Sequence, residues 1–293
     1  MTTTALEKAA TYFDKEIVAP LRQKVMGRKL IAVKPTVKGA GIKAADILKV
    51  IEMGAAQMAY KLPKEMSRDM VRIDKSTVNI PVLFKGYEVD RDAYDVWKAN
   101  GVGLDAAAAI SAAQVIAVQE DTAIIDGWKP EGSTYLMNGL YQSAGVSYTT
   151  LKDFATYGNA KEAIAGAKAA LEAVFVYPPF NLTLNPVQNA ELVMSESSTG
   201  TEEYGRVLKV LNGNIENGPG RIFSSPAITA GTGLVSPVDP ARVYMELLNP
   251  QPIRNVLGED SKMPGISDIT GTSFEALYVN VKQANALCKL TQI

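Results

Sequence analysis

The sequence predicts an α+β fold organised around one long buried helix, and three features carry that expectation. Residues 104–125 are apolar on nearly every side, with charge only at Asp105, Glu120 and Asp121, the pattern of a helix covered from several directions. Residues 148–240 alternate helical and strand-like stretches and read as a compact α+β module. Residues 42–85 form a long excursion without a core of their own, so this arm must pack on something else.

In chain order, residues 6–26 place Phe13, Ile17, Leu21 and Val25 four apart, which predicts an amphipathic helix. Pro20 should kink it, and Gly27 should end it as a C-cap glycine. Residues 30–33 read as a short strand, and 35–41, rich in Gly, Lys and Pro, as a connector. Met53, Met58, Met66 and Met70 cluster in the arm, where flexible thioethers suit either a neighbouring subunit or packing within the chain. Val78, Ile80, Val82 and Phe84 alternate with Asn79, Pro81 and Leu83 at strand period, and a proline inside such a run indicates an edge strand or extended arm.

Residues 90–100 look helical and lead into the long helix. The module then reads as helix 160–173, strand 180–184, helix 187–194, helix 202–212 and strand 221–226. Residues 243–248 and 274–281 read as strands separated by Pro- and Gly-rich turns, returning to the sheet that the long helix covers.

Composition bounds the chemistry. At 293 residues, with 47% hydrophobic and 21% charged, the chain can bury a substantial core. It contains no histidine, which removes Ser-His-Asp and Cys-His nucleophile systems and histidine-based metal sites. Cys288 is its one cysteine and reads as a small buried side chain in the last strand, so no intrachain disulfide forms. The weakly polar run 102–118 is broken by Asp105, Ser111 and Gln114, and residues 1–10 lack an apolar segment behind a basic start; neither a membrane span nor a signal peptide is expected.

The charge is unevenly spread. Residues 1–75 carry 15 Lys and Arg against 8 Asp and Glu, and the remainder 15 against 23. Such a split suits an acidic partner, whether nucleic acid, an acidic cargo or a neighbouring copy, and equally suits a solvated basic face.

No motif frames a reaction, and no cofactor is expected. Gly101-x-Gly103-x-x-Ala106 matches a dinucleotide fingerprint, but a helix rather than a buried strand precedes it, so the glycines read as a joint between helices. Glu120 with Asp121 and Glu202 with Glu203 are adjacent on helices, point about 100° apart and read as solvated or ion-paired surface. The polar run Ser195, Glu196, Ser197, Ser198, Thr199, Gly200, Thr201 reads as a surface connector between two helices.

Several landmarks, taken in order, resemble the encapsulin shell proteins, which share the tailed-phage major-capsid fold. They are the helix carrying Phe13-Asp14 and ending in Gly27-Arg28-Lys29, the apolar Leu30-Ile31-Ala32-Val33, and the run Gln119-Glu120-Asp121 through Ile124-Ile125-Asp126-Gly127. A fourth is the closing segment Gly271-Thr272-Ser273-Phe274-Glu275-Ala276-Leu277-Tyr278-Val279-Asn280 followed by Ala284, Ala286 and Leu287. Pro35 to Gly41, Lys282-Gln283 and the stretch from Pro250 and Pro252 to Gly271 depart from the family pattern.

The resemblance implies an amino-terminal helix and arm in residues 1–41, an extended E-loop in 42–85, and a P domain with its spine helix in 86–137. An A domain follows in 138–240, and 241–293 return to the P domain. It further implies a non-enzymatic protein whose copies close into an icosahedral shell, with no membrane association. Phe13, Ile17, Leu21, Leu30 and Ile31 would line a lumenal groove for a cargo protein, and residues 195–201 would frame a pore. Two other readings stay open beside a cytoplasmic encapsulin compartment: a viral capsid protein of the same fold, forming a virion around nucleic acid, and a monomeric α+β enzyme or ligand-binding protein.

Overall fold

The computed structural model describes residues 4–24, 26–34, 39, 42–51, 72–100, 104–131, 133–198, 200–215, 217–259 and 269–293, without the side chains of 17–24, 48–51 and 72–74. Helix α1 (Ala5–Lys24) is followed by the short α2 (Gly27–Leu30). Strands β1 (Ala44–Ile51) and β2 (Arg72–Asn79) form an antiparallel hairpin that pairs with nothing else among the described residues. Then come β3 (Val82–Val89), α3 (Arg91–Asn100) and α4 (Ala107–Ile125), with the two-residue strands β4 (Gly127–Trp128) and β5 (Met137–Asn138) paired beyond it.

The second half holds β6 (Val146–Thr149), α5 (Asn159–Glu172), β7 (Phe180–Leu184), α6 (Pro186–Met194), α7 (Glu203–Leu211), β8 (Ile222–Ser224) and β9 (Thr232–Pro237). Two long strands, β10 (Met245–Glu259) and β11 (Ile269–Val281), precede the last short strand, β12 (Cys288–Thr291).

Two sheets organise these elements. An antiparallel sheet in the order β10-β11-β3 carries α4 and α1 on its face. Ala9, Phe13, Tyr94, Ala109, Leu257 and Ile269 close the core between them. A mixed sheet in the order β6-β12-β9-β7-β8 packs its apolar face on α5, α6 and α7 through Ile164, Leu171, Phe180, Leu192, Val207 and Leu290. A third cluster, including Leu30, Ile125, Leu234, Leu247 and Leu277, joins the end of α4 to both sheets.

Several expectations change. Residues 30–33 form no strand: Leu30 ends α2, and only Val33 bridges Leu247 of β10. Gly27 is the first residue of α2 rather than a C-cap. A Cβ there would lie 2.8 Å from Cδ1 and 3.0 Å from Cβ of Ile124, so this glycine serves close approach to α4 rather than a left-handed turn. Cys288 is buried in β12, and burial pushes its thiol up to about 12. That strand does not return to the sheet under α4, as was expected for 241–293, but pairs with β6 and β9 of the other one.

The prolines also act differently from expectation. Residues 78–84 are two strands rather than one, and the inward side changes parity at Pro81. Ile80 is buried before it, whereas beyond it Leu83 packs inward and Phe84 is 74% exposed. Pro250 and Pro252 do not interrupt β10, which runs through both on the edge of its sheet with register shifts between Leu248 and Arg254. Both strands beside Pro81 lie at sheet edges, β2 in the two-stranded hairpin and β3 beside β11, and a boundary at residue 85 falls inside β3. Met53, Met58, Met66 and Met70 lie outside the described residues.

Because Ile124 is fully buried, Gly27→Val should force overpacking at the α2 to α4 contact. The expected loss is about 1–3 kcal/mol, read as a lower denaturation midpoint in urea at unchanged slope.

Candidate assembly and docking surfaces

The amino-terminal segment is fastened to the rest of the chain at four places. In α1, Phe13 is buried between β3, α3 and α4, and Asp14 Oδ1 accepts from the Asn255 backbone N–H (2.8 Å) and Nδ2 (2.9 Å) on β10. At the start of α2 the Asp121 carboxylate accepts from the N–H groups of Met26 (2.9 and 3.0 Å) and Gly27 (2.7 Å). These are donors that a helix N-terminus leaves without intrahelical partners. Beyond α2, Lys34 reaches Glu246 at 3.0 Å, where Lys282 and Asn280 also converge. Burial alone would raise the Glu246 carboxyl, yet those three partners hold it below the usual range.

The fourth fastening is a buried charge cluster. Arg28 Nε donates to Glu120 Oε1 at 2.6 Å, its Nη2 donates to Glu275 Oε1, and Asn249 Nδ2 donates to the same Glu275 oxygen. Both glutamates are almost wholly buried, while the Arg28 side chain is 37% exposed. Burial, followed by the charge of Glu120, pushes the Glu275 carboxyl up to about 8. Burial raises Glu120 too, opposed by Arg28. Glu120 and Asp121 are thus spent inside the chain, as the ion-paired reading allows, but they are not surface.

Of the residues expected to line a cargo groove, Phe13, Leu30 and Ile31 are buried to 3% exposure or less and belong to two different core clusters. They therefore form no open groove and act from within the subunit. The side chains of Ile17 and Leu21 lie outside the description, although their backbone is helical. α1 meets the start of α4 through Ala9 and Phe13, and Gly27 meets its end at Ile124, so the helices run side by side in the same direction. On its open side α4 keeps an uncharged stripe, Ser111, Val115 (51% exposed), Val118 (55%) and Gln119. The residue spacing of the stripe is visible in the sequence, but its openness is not.

The loop 195–201 is a tight hairpin. Glu196 bridges Glu202, Ser197 N–H donates to the Thr201 carbonyl at 3.0 Å, and Gly200, with φ +76°, closes the turn onto the Ser197 carbonyl at 2.9 Å. Glu196, Ser198, Gly200 and Thr201 are exposed and Ser197 is partly covered, but Ser195 is buried; Thr199 lies outside the described residues. Glu203, expected beside Glu202 as surface, is fully buried. It accepts from the Gly158 and Lys161 N–H groups at the start of α5 and from Ser195 Oγ. A glutamate from a different helix thus supplies the cap that Gly158 lacks.

The β1–β2 hairpin leaves the body at one point. Ile80 N–H donates to the Lys43 carbonyl at 2.8 Å, so entry and exit strands meet at its root. A cleft of about 340 Å³ lined by Ile47, Val78, Tyr135, Leu136 and Tyr278 lies where the hairpin meets β11. Among the described residues no cluster of Cys, Asp or Glu could hold a metal. α3 rather than a strand precedes Gly101 and Gly103, which lie outside the described residues.

Comparison with known proteins bears on the family and the fold. A family profile described as "Encapsulating protein for peroxidase" matches residues 5–240. The type 1 encapsulin shell protein EncA of Myxococcus xanthus (strain DK1622) is 23% identical over 279 residues, 94% of this chain and 90% of the relative. Among solved structures, the virus-like particle from Pyrococcus furiosus is similar with TM-score 0.63 and 17% identity, covering 96% of this chain and 98% of that one. The capsid of Myoviridae phage XM1 gives TM-score 0.67 and 15% identity, with 92% and 91% covered; at these identities the structures speak for the fold alone. Taken with the profile match over most of its length, they show that the chain belongs to the encapsulating-protein family, the encapsulins, and is a self-assembling shell protein of the capsid fold, not an enzyme.

Proposed function

We propose that the shell encloses a protein cargo in the cytoplasm rather than a genome in a virion, and that the cargo docks along α1 and α4. The observation that carries this reading is where the positive charge goes. The basic excess lies in the first 75 residues, yet Arg28 answers Glu120 and Glu275, Lys34 answers Glu246 and Lys75 answers Asp46. Binding a nucleic-acid backbone needs cations free to displace counterions. Arg28, Lys34 and Lys75 are engaged by carboxylates of the same chain and are not free for that role. The family description also names a protein as the content.

On this reading the uncharged stripe Ser111, Val115 and Val118 takes apolar side chains of a cargo peptide, together with Ile17 and Leu21 of α1. Phe13, Leu30 and Ile31 hold the helices in place from behind. Residues 42–79 act as the E-loop, reaching a neighbouring copy, since a lone two-stranded hairpin is at best marginally stable. The loop 195–201 sits where several copies surround a symmetry axis, with Glu196 and Glu202 as its acidic groups.

Three experiments test these assignments. Particles purified from the native source should contain one abundant second protein by mass spectrometry and no nuclease-protected nucleic acid; a genome-length nucleic acid inside would establish the virion instead. Joining Lys43 to Ile80 and deleting residues 44–79 should leave a cooperatively folding subunit that elutes as a small species. Intact shells from that deletion would end the E-loop assignment. Glu196→Lys should leave assembly unchanged while accelerating uptake of a small anionic probe; unaltered uptake, or failure to assemble, would displace the loop from the pore.

A further inference from the structure

We propose that Arg28, Glu120 and Glu275 form a proton-operated clasp that holds residues 5–31 on α4 and the three-stranded sheet, loosening when the single proton carried by one of the two glutamates departs.

The argument begins with charge counting. One guanidinium from α2 faces two nearly inaccessible carboxylates, one on α4 and one on β11, and it can neutralise only one of them. The other groups around Glu275 do not supply a second cation. Asp121 on α4 adds negative charge and is occupied by the Met26 and Gly27 N–H groups. Lys29 on α2 interacts with that carboxylate. β3 places the uncharged Leu83 opposite Glu275, and β10 contributes the neutral amide of Asn249.

A proton on one glutamate removes the imbalance. Asn249 provides an independent sign that one is accommodated: its Oδ1 is buried and has no hydrogen-bond partner among the described residues. Turned over, the same amide presents that oxygen to Glu275 as an acceptor for a carboxyl O–H. Burial together with Glu120 raises Glu275 to about 8, so the proton is resident near neutral pH.

Geometry also decides which element yields when the proton leaves. α4 and β11 are core elements on both sides of the cluster, whereas Arg28 is partly open to solvent. Lifting α2 and α1 admits water to both carboxylates and gives up the contacts of Asp14 with Asn255 and of Phe13, Leu30 and Ile31 with the core, but leaves the β10-β11-β3 strand pairing intact. The sign of the pH dependence follows. The closed clasp binds the proton more tightly than an open, hydrated one, so holding is strongest below the ordinary carboxylate value near 4.5 and weakens as pH rises to about 8. A single proton limits the change to about tenfold in the open population per pH unit. The device does not depend on what the shell contains.

The test is hydrogen exchange by mass spectrometry on assembled particles between pH 5 and 9, corrected for intrinsic exchange rates. The exchange-competent population of residues 5–31 should rise by up to about tenfold per unit between pH 5 and 8 and then level off, while β7 stays protected throughout. Glu275→Gln, which mimics the protonated carboxyl, should flatten the profile and keep the segment protected at pH 9. The clasp is refuted by a flat wild-type profile, by loss of protection in β7 in parallel with residues 5–31, or by a variant that opens as the wild type does. If the variant does not assemble, the wild-type profile and its β7 control decide alone.

Discussion

The structure depends on how two neighbouring carboxylates at the end of a buried helix are satisfied. Glu120 and Asp121 occupy the last turns of α4, where the helix is covered by β3, β11 and the second half of the chain. Ions in such a place are costly unless paired. The amino-terminal segment supplies the partners, backbone N–H groups to Asp121 and a guanidinium to Glu120. The same contact fixes where α2 sits, requires glycine at position 27, and sends the chain on to run along β10 through Val33 and Lys34. Fold and charge balance are thus one arrangement, and residues 5–34 could not dock elsewhere without stranding two acids.

Much of this architecture was legible in the sequence because it follows local rules. The five helices and strands read in residues 160–226 lie within two residues of those observed, though the central strand β9 went unread, and α4 announces itself by being apolar all round. What escaped reading was decided by tertiary contacts. Gly27 looks like a helix stop until Ile124 is seen against it. The parity change at Pro81 separates a free hairpin from a sheet strand, and alternation alone continues through it. β10 survives two prolines because, on the sheet edge, the missing N–H groups have no obligatory partner.

The functional residues were harder, and for a physical reason. Phe13, Leu30 and Ile31 are apolar at helical or strand spacing, a pattern shared by docking grooves and cores, and burial alone separates the two. Glu203 beside Glu202 suggests surface charge, and nothing local signals that its carboxylate reaches residue 158. Conversely, the exposed valines of α4 carry no mark in the sequence that distinguishes them from its buried alanines. Surfaces made for other copies or for cargo use the same side chains as the interior.

That ambiguity is inherent in a protein whose product is a particle. An enzyme concentrates unusual residues at one site, and those residues stand out. A shell subunit distributes its function over weak contacts repeated in every copy, where closure comes from symmetry and no single contact need be strong. Selection then acts on the orientation of appendages such as α1 and the β1–β2 hairpin relative to the body. In this chain the orientation of the first appendage is set by buried electrostatics, with Arg28, Lys34 and Asp14 each reaching across to a distant strand or helix. A small bias in one fastening is therefore imposed on all subunits at once, so a change too slight to unfold a monomer can alter the same face of every copy.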